Sequence, residues 1–246
     1  IADALIKLSR LSHDAEEYIV TQAKEALDII IIEKTHTKIV LDIDSLRHYF
    51  VVLQKYILRL VIEVLTKNQV IPSYSDLDRI YTCLHAKKNG TRIPLHGKWE
   101  VLIDRDLLVF RQSTIKDFDQ PIKVGQAFEH NNGWRITIEK SSTEINFLKA
   151  SGRNCQFIDQ NKIKGSIGIR NARVGDSFYP LGAGGSKSIS NYFTDRKVLL
   201  HKRAEIPIVY CDAGIIWIVG YHLDERFKIT NQTTSVLKLE FEGKNL

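Results

Sequence analysis

The feature that most constrains this chain of 246 residues is where its glycines lie. None occurs before Gly90, and in that span the only proline is Pro72, whereas ten of the fourteen glycines fall after residue 150. Glycine supplies the positive φ of tight turns, so a stretch without it is built from long elements with few sharp reversals. A stretch rich in it suits short strands joined by turns. Two parts of unlike character are therefore expected, a mostly helical one followed by a β-rich one.

The helical reading rests on periodicity. Leu8, Leu11, Ala15, Ile19, Ala23, Ala26, Leu27 and Ile30 recur at three- and four-residue spacing as one apolar face, opposite Lys7, Arg10, Asp14, Glu17 and Glu25. Residues 38–43 are β-branched and alternate, which predicts a short strand. Asp44 or Ser45 is placed to cap a second helix, with Leu46, Phe50, Leu53, Ile57, Leu60, Val61 and Val64 as its buried stripe. Ser73 or Ser75 caps a third, running to about Lys88 and ended by Asn89 and Gly90. Residues 99–103 and 107–111 then flank a turn and predict a hairpin.

Residues 113–126 mix charge with Pro121 and Gly125 and have no period, which marks a linker. Beyond it, residues 134–139, 155–159, 167–172 and 236–241 read as strands, and 206–211 with 215–219 as a hairpin closed by Asp212, Ala213 and Gly214. Residues 186–195 are the one helix expected there, capped by Ser186 or Ser188. The fold class is α+β: a helical segment over 1–35, a helical domain with a β-hairpin over 36–112, a linker over 113–126 and a smaller, mainly β domain over 127–246. A chain that opens on Ile1 inside a helix and contains no methionine is expected to be part of a longer protein.

Composition excludes several classes. With 43% hydrophobic and 26% charged residues the chain is globular, and no apolar run approaches the ~20 residues that span a bilayer. Cys83, Cys155 and Cys211 include no Cys-x-x-Cys pair, so neither a disulfide framework nor a zinc site is expected, and a reducing, cytoplasmic setting is the default. The net charge is +6, and the segment from Lys164 to Arg203 holds eight basic against two acidic residues, which accounts for all of it. A localised positive face suits a polyanion, because each Lys or Arg that neutralises a phosphate releases condensed counterions. The plainer account is a solvated surface whose acidic partners lie elsewhere in the chain.

No catalytic constellation emerges. The cluster Gly182-Ala183-Gly184-Gly185-Ser186-Lys187-Ser188 lacks the glycine that precedes Lys in a Walker loop and has Lys187 where a dinucleotide fingerprint ends in glycine. It offers at most a turn leading to a helix N-terminus, with Lys187 beside it, as an anion site. The eight histidines include no pair at metal-ligand spacing, and there is no Gly-x-Ser-x-Gly elbow. Gly175-Asp176, following Arg170 and Arg173, is expected to be structural: the carboxylate orients those guanidiniums for a binding surface.

The run Ile169-Arg170-Asn171-Ala172-Arg173-Val174-Gly175-Asp176-Ser177-Phe178-Tyr179-Pro180-Leu181-Gly182 resembles the C-terminal domain of bacterial tRNA(Ile)-lysidine synthetases. So do Gly185-Ser186-Lys187-Ser188-Ile189-Ser190-Asn191-Tyr192-Phe193-Thr194-Asp195-Arg196-Lys197-Val198, Arg203 ahead of Pro207, and the stretch from Trp217 to Thr230. Upstream, residues 46–65 and 75–112 are similar to the family's first C-terminal domain. The resemblance implies an enzyme that joins lysine to the wobble cytidine of an isoleucine tRNA by way of an ATP-adenylated base. ATP, with Mg, belongs in that family to an N-terminal domain marked by Ser-Gly-Gly-x-Asp-Ser, which has no counterpart here, so neither a catalytic residue nor a cofactor is expected in this chain. What the matched part implies is tRNA binding, through the acceptor stem, by Arg170, Arg173, Lys187, Arg196, Lys197 and Arg203, with Gly175 and Asp176 supporting the face. Lysine and ATP would be partners of the complete enzyme, a membrane would not, and a homodimer is left open. The alternative is a non-catalytic protein interaction or dimerisation module.

Overall fold

A computed structural model of the chain describes residues 2–86, 88–113, 117–131, 133–142 and 152–243. The chain divides into two compact units, Ile1–Thr114 and Ile115–Leu246.

The first unit opens with α1 (Ala2–Ile30), then β1 (Ile31–Lys34), β2 (Lys38–Asp42), α2 (Ile43–Arg47), α3 (Val51–Thr66), α4 (Tyr74–His85), β3 (Arg92–Pro94), β4 (Trp99–Asp104) and β5 (Leu107–Gln112). The predicted hairpin is β4–β5, closed by a two-residue turn in which Arg105 takes a φ of 60°. It is the centre of a five-stranded antiparallel sheet in the order β1-β2-β5-β4-β3, so this part contains more strand than expected. The helices bury Ile57, Leu58, Val61, Ile62, Leu77, Ile80 and Leu84 with sheet residues such as Leu41, Val101 and Phe110 in one core.

Three expectations are corrected here. The second helix is two helices, because the backbone at Phe50 is extended, and this shifts the stripe: Phe50 is 89% and Val64 48% exposed, while Gln54, Leu58 and Ile62 are buried. Gln54 tolerates burial because its amide donates to the carbonyl oxygens of Arg47 and Tyr49, groups that the break leaves without helical partners. In α1 only Ala23, Ala26, Leu27 and Ile30 are buried, and Leu8 and Leu11 face solvent. The third helix ends at His85, short of Lys88. Its start is Ser73, whose hydroxyl accepts from the Asp76 N–H while the Asp76 carboxylate accepts from the Ser73 N–H.

The second unit contains β6 (Asp119–Pro121), β7 (Gln126–Glu129), β8 (Arg135–Ser141), β9 (Cys155–Asp159), β10 (Gly168–Asn171), β11 (Ser177–Phe178), β12 (Lys187–Ser188), α5 (Ile189–Asp195), α6 (Leu200–Arg203), β13 (Pro207–Cys211), β14 (Gly214–Ile218) and β15 (Val236–Glu242). Two four-stranded antiparallel sheets, β14-β13-β10-β6 and β7-β8-β15-β9, share one core. In it Ile169, Val209, Ile216 and the fully buried Trp217 pack with Ile136, Ile138, Ile158, Leu237 and Leu239. Strand alternation sends Ile208 and Ile218 to the other face, where Phe178, Ile189, Tyr192 and Phe193 form a second cluster under α5. The expected helix over 186–195 is this α5, capped by Ser188, and the short α6 follows it.

The linker expected over 113–126 is also corrected. Residues 114–116 lie outside the described residues, but β6 hydrogen-bonds to β10 and the Phe118 N–H is held by the Asn171 side chain, so 118–121 belong to the second unit. Asp119 and Gln120 have no apolar periodicity because β6 is an edge strand whose contribution is main-chain pairing and charge.

Candidate nucleic-acid interface

The charge-rich segment folds around β10, all four of whose residues are buried. Since Ile169 points into the inter-sheet core, Gly168 and Arg170 face the other way, alongside Tyr210 of β13 and Asp119 of β6. The Tyr210 ring lies directly over Gly168: a Cβ there would fall 2.6 Å from it. Arg170 lies beside that ring, 5.1 Å from its centroid, and the Tyr210 hydroxyl donates to the Asp119 carboxylate.

Asp176 completes the arrangement. Residues 173–176 form a turn in which Gly175 takes a φ of 91°, and the Asp176 carboxylate accepts from both terminal nitrogens of Arg170 at 2.7 and 2.8 Å and from the Arg173 N–H at 2.7 Å. Burial alone would raise the Asp176 carboxyl, but the Arg170 and Arg173 hydrogen bonds outweigh it and hold it below the usual carboxylate range. The hydrogen bonds to Asp176 in turn raise Arg170, against the effect of its burial. Asp176 thus orients the Arg170 guanidinium and closes the Gly175 turn, whereas the Arg173 guanidinium is oriented by Asp119, at 2.9 Å, and not by Asp176.

Arg170 itself is only 8% exposed, and besides Asp176 it donates to the Asn171 carbonyl. Its expected place as a phosphate contact is therefore revised: the guanidinium is committed to the fold, where a buried ion pair satisfied on both sides is costly to break. Arg173 is exposed and shares Asp119 with Tyr210. Asp117 and Asp119 are thus the acidic partners outside the charged segment that the plainer account required.

Lys187, Arg196, Lys197 and Arg203 gather around α5 and α6. With seven residues, its N-terminus capped by the Ser188 hydroxyl, α5 offers no anion site of the kind considered from the sequence. Lys187 instead pairs with Asp195 at the other end of that helix. Arg196 is exposed, lies 5.6 Å from the Tyr192 ring centroid and makes no ion pair among the described residues. Lys197 is exposed and takes the left-handed conformation, φ 55°, that stops the helix, while Arg203 is half-buried and donates to the Val198 carbonyl. Lys164 and Lys202 add charge without a carboxylate partner among the described residues.

Sequence reasoning missed the roles of Asp119, Tyr210 and His222, which strand register and packing bring to the cations and to Tyr192 across 30 residues or more, and those of Tyr192 and Asp195, which meet Arg196 and Lys187 from one helix. Among the described residues no group of His, Cys, Asp and Glu could hold a metal, and no helix is long and apolar enough to cross a membrane.

The β-rich unit of this α+β chain thus gathers Lys187, Arg196, Lys197 and Arg203 around two short helices, with Arg173 on the turn that follows β10. Residues 167–240 match the family described as the TilS substrate C-terminal domain. The chain is 25% identical over 246 residues to a tRNA(Ile)-lysidine synthase of Caldanaerobacter subterraneus subsp. tengcongensis, covering 98% of this chain and 52% of that protein. It is 32% identical over 129 residues to that of Clostridium tetani, covering 52% and 27%. The solved structure titled "Crystal structure of TILS C-terminal domain" aligns in full with 53% of this chain at 22% identity and a TM-score of 0.48. Within the second unit, residues 167–240 are therefore similar to the TilS substrate C-terminal domain, and the chain resembles tRNA(Ile)-lysidine synthases over nearly all its length, while spanning about half of the first of these relatives and less of the second.

Proposed function

We propose that this chain is the C-terminal tRNA-recognition part of a tRNA(Ile)-lysidine synthase, the cytoplasmic ligase that uses ATP to join lysine to the wobble cytidine of an isoleucine tRNA. One observation carries the reading: all six cations first singled out, from Arg170 to Arg203, fall inside the stretch that matches the substrate-domain family. Base-paired RNA is gripped mainly through phosphates and 2′-hydroxyls, and cations clustered on the turns and short helices beside the sheet suit that chemistry. Direct contact falls to Arg173, Lys187, Arg196, Lys197 and Arg203, with Arg170 holding the Asp176 turn beneath them and the acceptor stem as the region met. Catalysis, ATP and Mg are assigned to the complete enzyme and to no residue here.

The test is titration of the chain with the minor isoleucine tRNA and with an elongator methionine tRNA at 50 and 200 mM salt. Five phosphate contacts would lower affinity on the order of several hundredfold across that range. Preference for the isoleucine tRNA would support recognition by this chain, and binding insensitive to salt would end the reading.

A second reading, a protein interaction or dimerisation module, is favoured by an apolar groove of about 490 Å³ in the first unit, lined by Val51, Val52, Ile71, Pro72 and Tyr74. An interface of that kind would respond little to salt and would show as self-association or protein capture.

A further inference from the structure

The second unit also contains a pocket of about 260 Å³ in which two of the proposed phosphate contacts, Lys187 and Arg196, meet groups that the phosphate-contact account leaves unused. One wall is the turn Pro180–Ala183, and the other is formed by Lys187, Tyr192, Asp195, Arg196 and His222. The turn is rigid: its Leu181 N–H donates to the Leu223 carbonyl, its Gly182 N–H to the Glu225 carboxylate and its Ala183 N–H to the Pro180 carbonyl. With those donors used, recognition inside the pocket falls to the side chains.

Those side chains are of three kinds. Two planar groups, the His222 imidazole and the Arg196 guanidinium, flank the Tyr192 ring, which is 5.7 Å from the imidazole centroid and 5.6 Å from the guanidinium carbon. The His222 Nδ1 lies 2.7 Å from the Tyr192 hydroxyl, and the opposite ring nitrogen has no partner among the described residues. Burial, aided by the Arg196 charge, holds His222 below its usual range, so the imidazole is neutral near pH 7 and suited to stacking and edge contact. The third kind is the Lys187–Asp195 pair, a cation and an acceptor side by side at the rim.

A phosphate alone would not favour a pocket that contains a carboxylate. An unpaired nucleotide has use for every part of it: a flat base for the imidazole and guanidinium planes, an exocyclic amine for Asp195, and a phosphate for Lys187. We propose that this pocket takes a single unpaired nucleotide, carrying an amino-bearing base, that projects from the RNA stem held by the surrounding cations. The inference rests on the tRNA-binding reading and deepens it.

The experiment compares a blunt RNA hairpin with the same hairpin carrying one unpaired 3′ adenosine or one unpaired 3′ uridine, each titrated with the chain by fluorescence anisotropy. The adenosine is expected to raise affinity about tenfold, the equivalent of one stacked base, and the uridine less. In Arg196→Gln the gain from either overhang should largely disappear. In Asp195→Asn the preference for adenosine over uridine should disappear while salt-sensitive stem binding persists. Equal binding of all three hairpins, with salt-sensitive affinity retained, would overturn the pocket and leave the proposed function standing. Absence of binding by any hairpin at either salt would overturn both.

Discussion

At strand β10 an arginine is 8% exposed and grips a carboxylate with both terminal nitrogens, whereas at the end of α5 another arginine is exposed and makes no ion pair among the described residues. Both belong to the same charged segment and look alike in the sequence. Their difference follows from position: Arg170 sits in the middle of a buried strand, where an uncompensated charge would cost several kcal/mol, so the fold supplies Asp176 and the Tyr210 ring. Arg196 follows a helix at the surface, where water solvates it and nothing requires a partner. The sheet region thus uses its charges to hold a shape, and the helix region leaves a charge available for a ligand.

The largest expected effect comes from breaking the buried member of that comparison. Arg170→Ala should destabilise the second unit by about 3 kcal/mol, because the half-buried Asp176 is left with only the Arg173 N–H, and urea unfolding would measure it. An unchanged midpoint would mean that the two arginines do not differ in the way described. The pH dependence gives the same test without deleting the arginine. A depressed carboxyl contributes stability above its unfolded pKa that is lost as pH falls through its folded one, so the stability gap between the parent and Asp176→Asn should be widest near neutrality and close in acid below the ordinary carboxylate range.

Gly168→Ala should have a smaller effect, about 1–3 kcal/mol, since the added Cβ meets the Tyr210 ring and the ring must leave its place beside Arg170. A Tm lowered by several degrees with RNA affinity kept would fit a shape-holding sheet. Smallest in stability, and opposite in kind, is Arg196→Gln. Its Tm should match the parent within error while the salt slope of tRNA binding falls by about one, and a drop in Tm without a change in slope would reverse the contrast.

Much of the second unit could be read in advance because its strands alternate and its turns are marked by glycine: 155–159 and the hairpin around Asp212–Gly214 were found almost to the residue. The first unit was harder. Phe50 continues an apolar period from Leu46 to Leu53, yet the extended backbone there puts it in solvent, since periodicity reports which residues could be buried and says nothing of where a helix is interrupted. Strand β6 was missed for a related reason: an edge strand held by main-chain bonds needs no apolar pattern.

The sequence by itself determined the inventory: two parts of different glycine content, a basic segment between Lys164 and Arg203, and a Gly-Asp turn to steady it. These are local properties, set by φ preferences, side-chain volume and charge, and they survive without knowledge of neighbours. Only the tertiary structure decided which cation faces solvent and which is spent on the fold. That choice depends on partners such as Asp119 and Tyr210, which are 54 and 91 residues from the groups they meet. Strand register brings them together, and register is a property of the whole sheet.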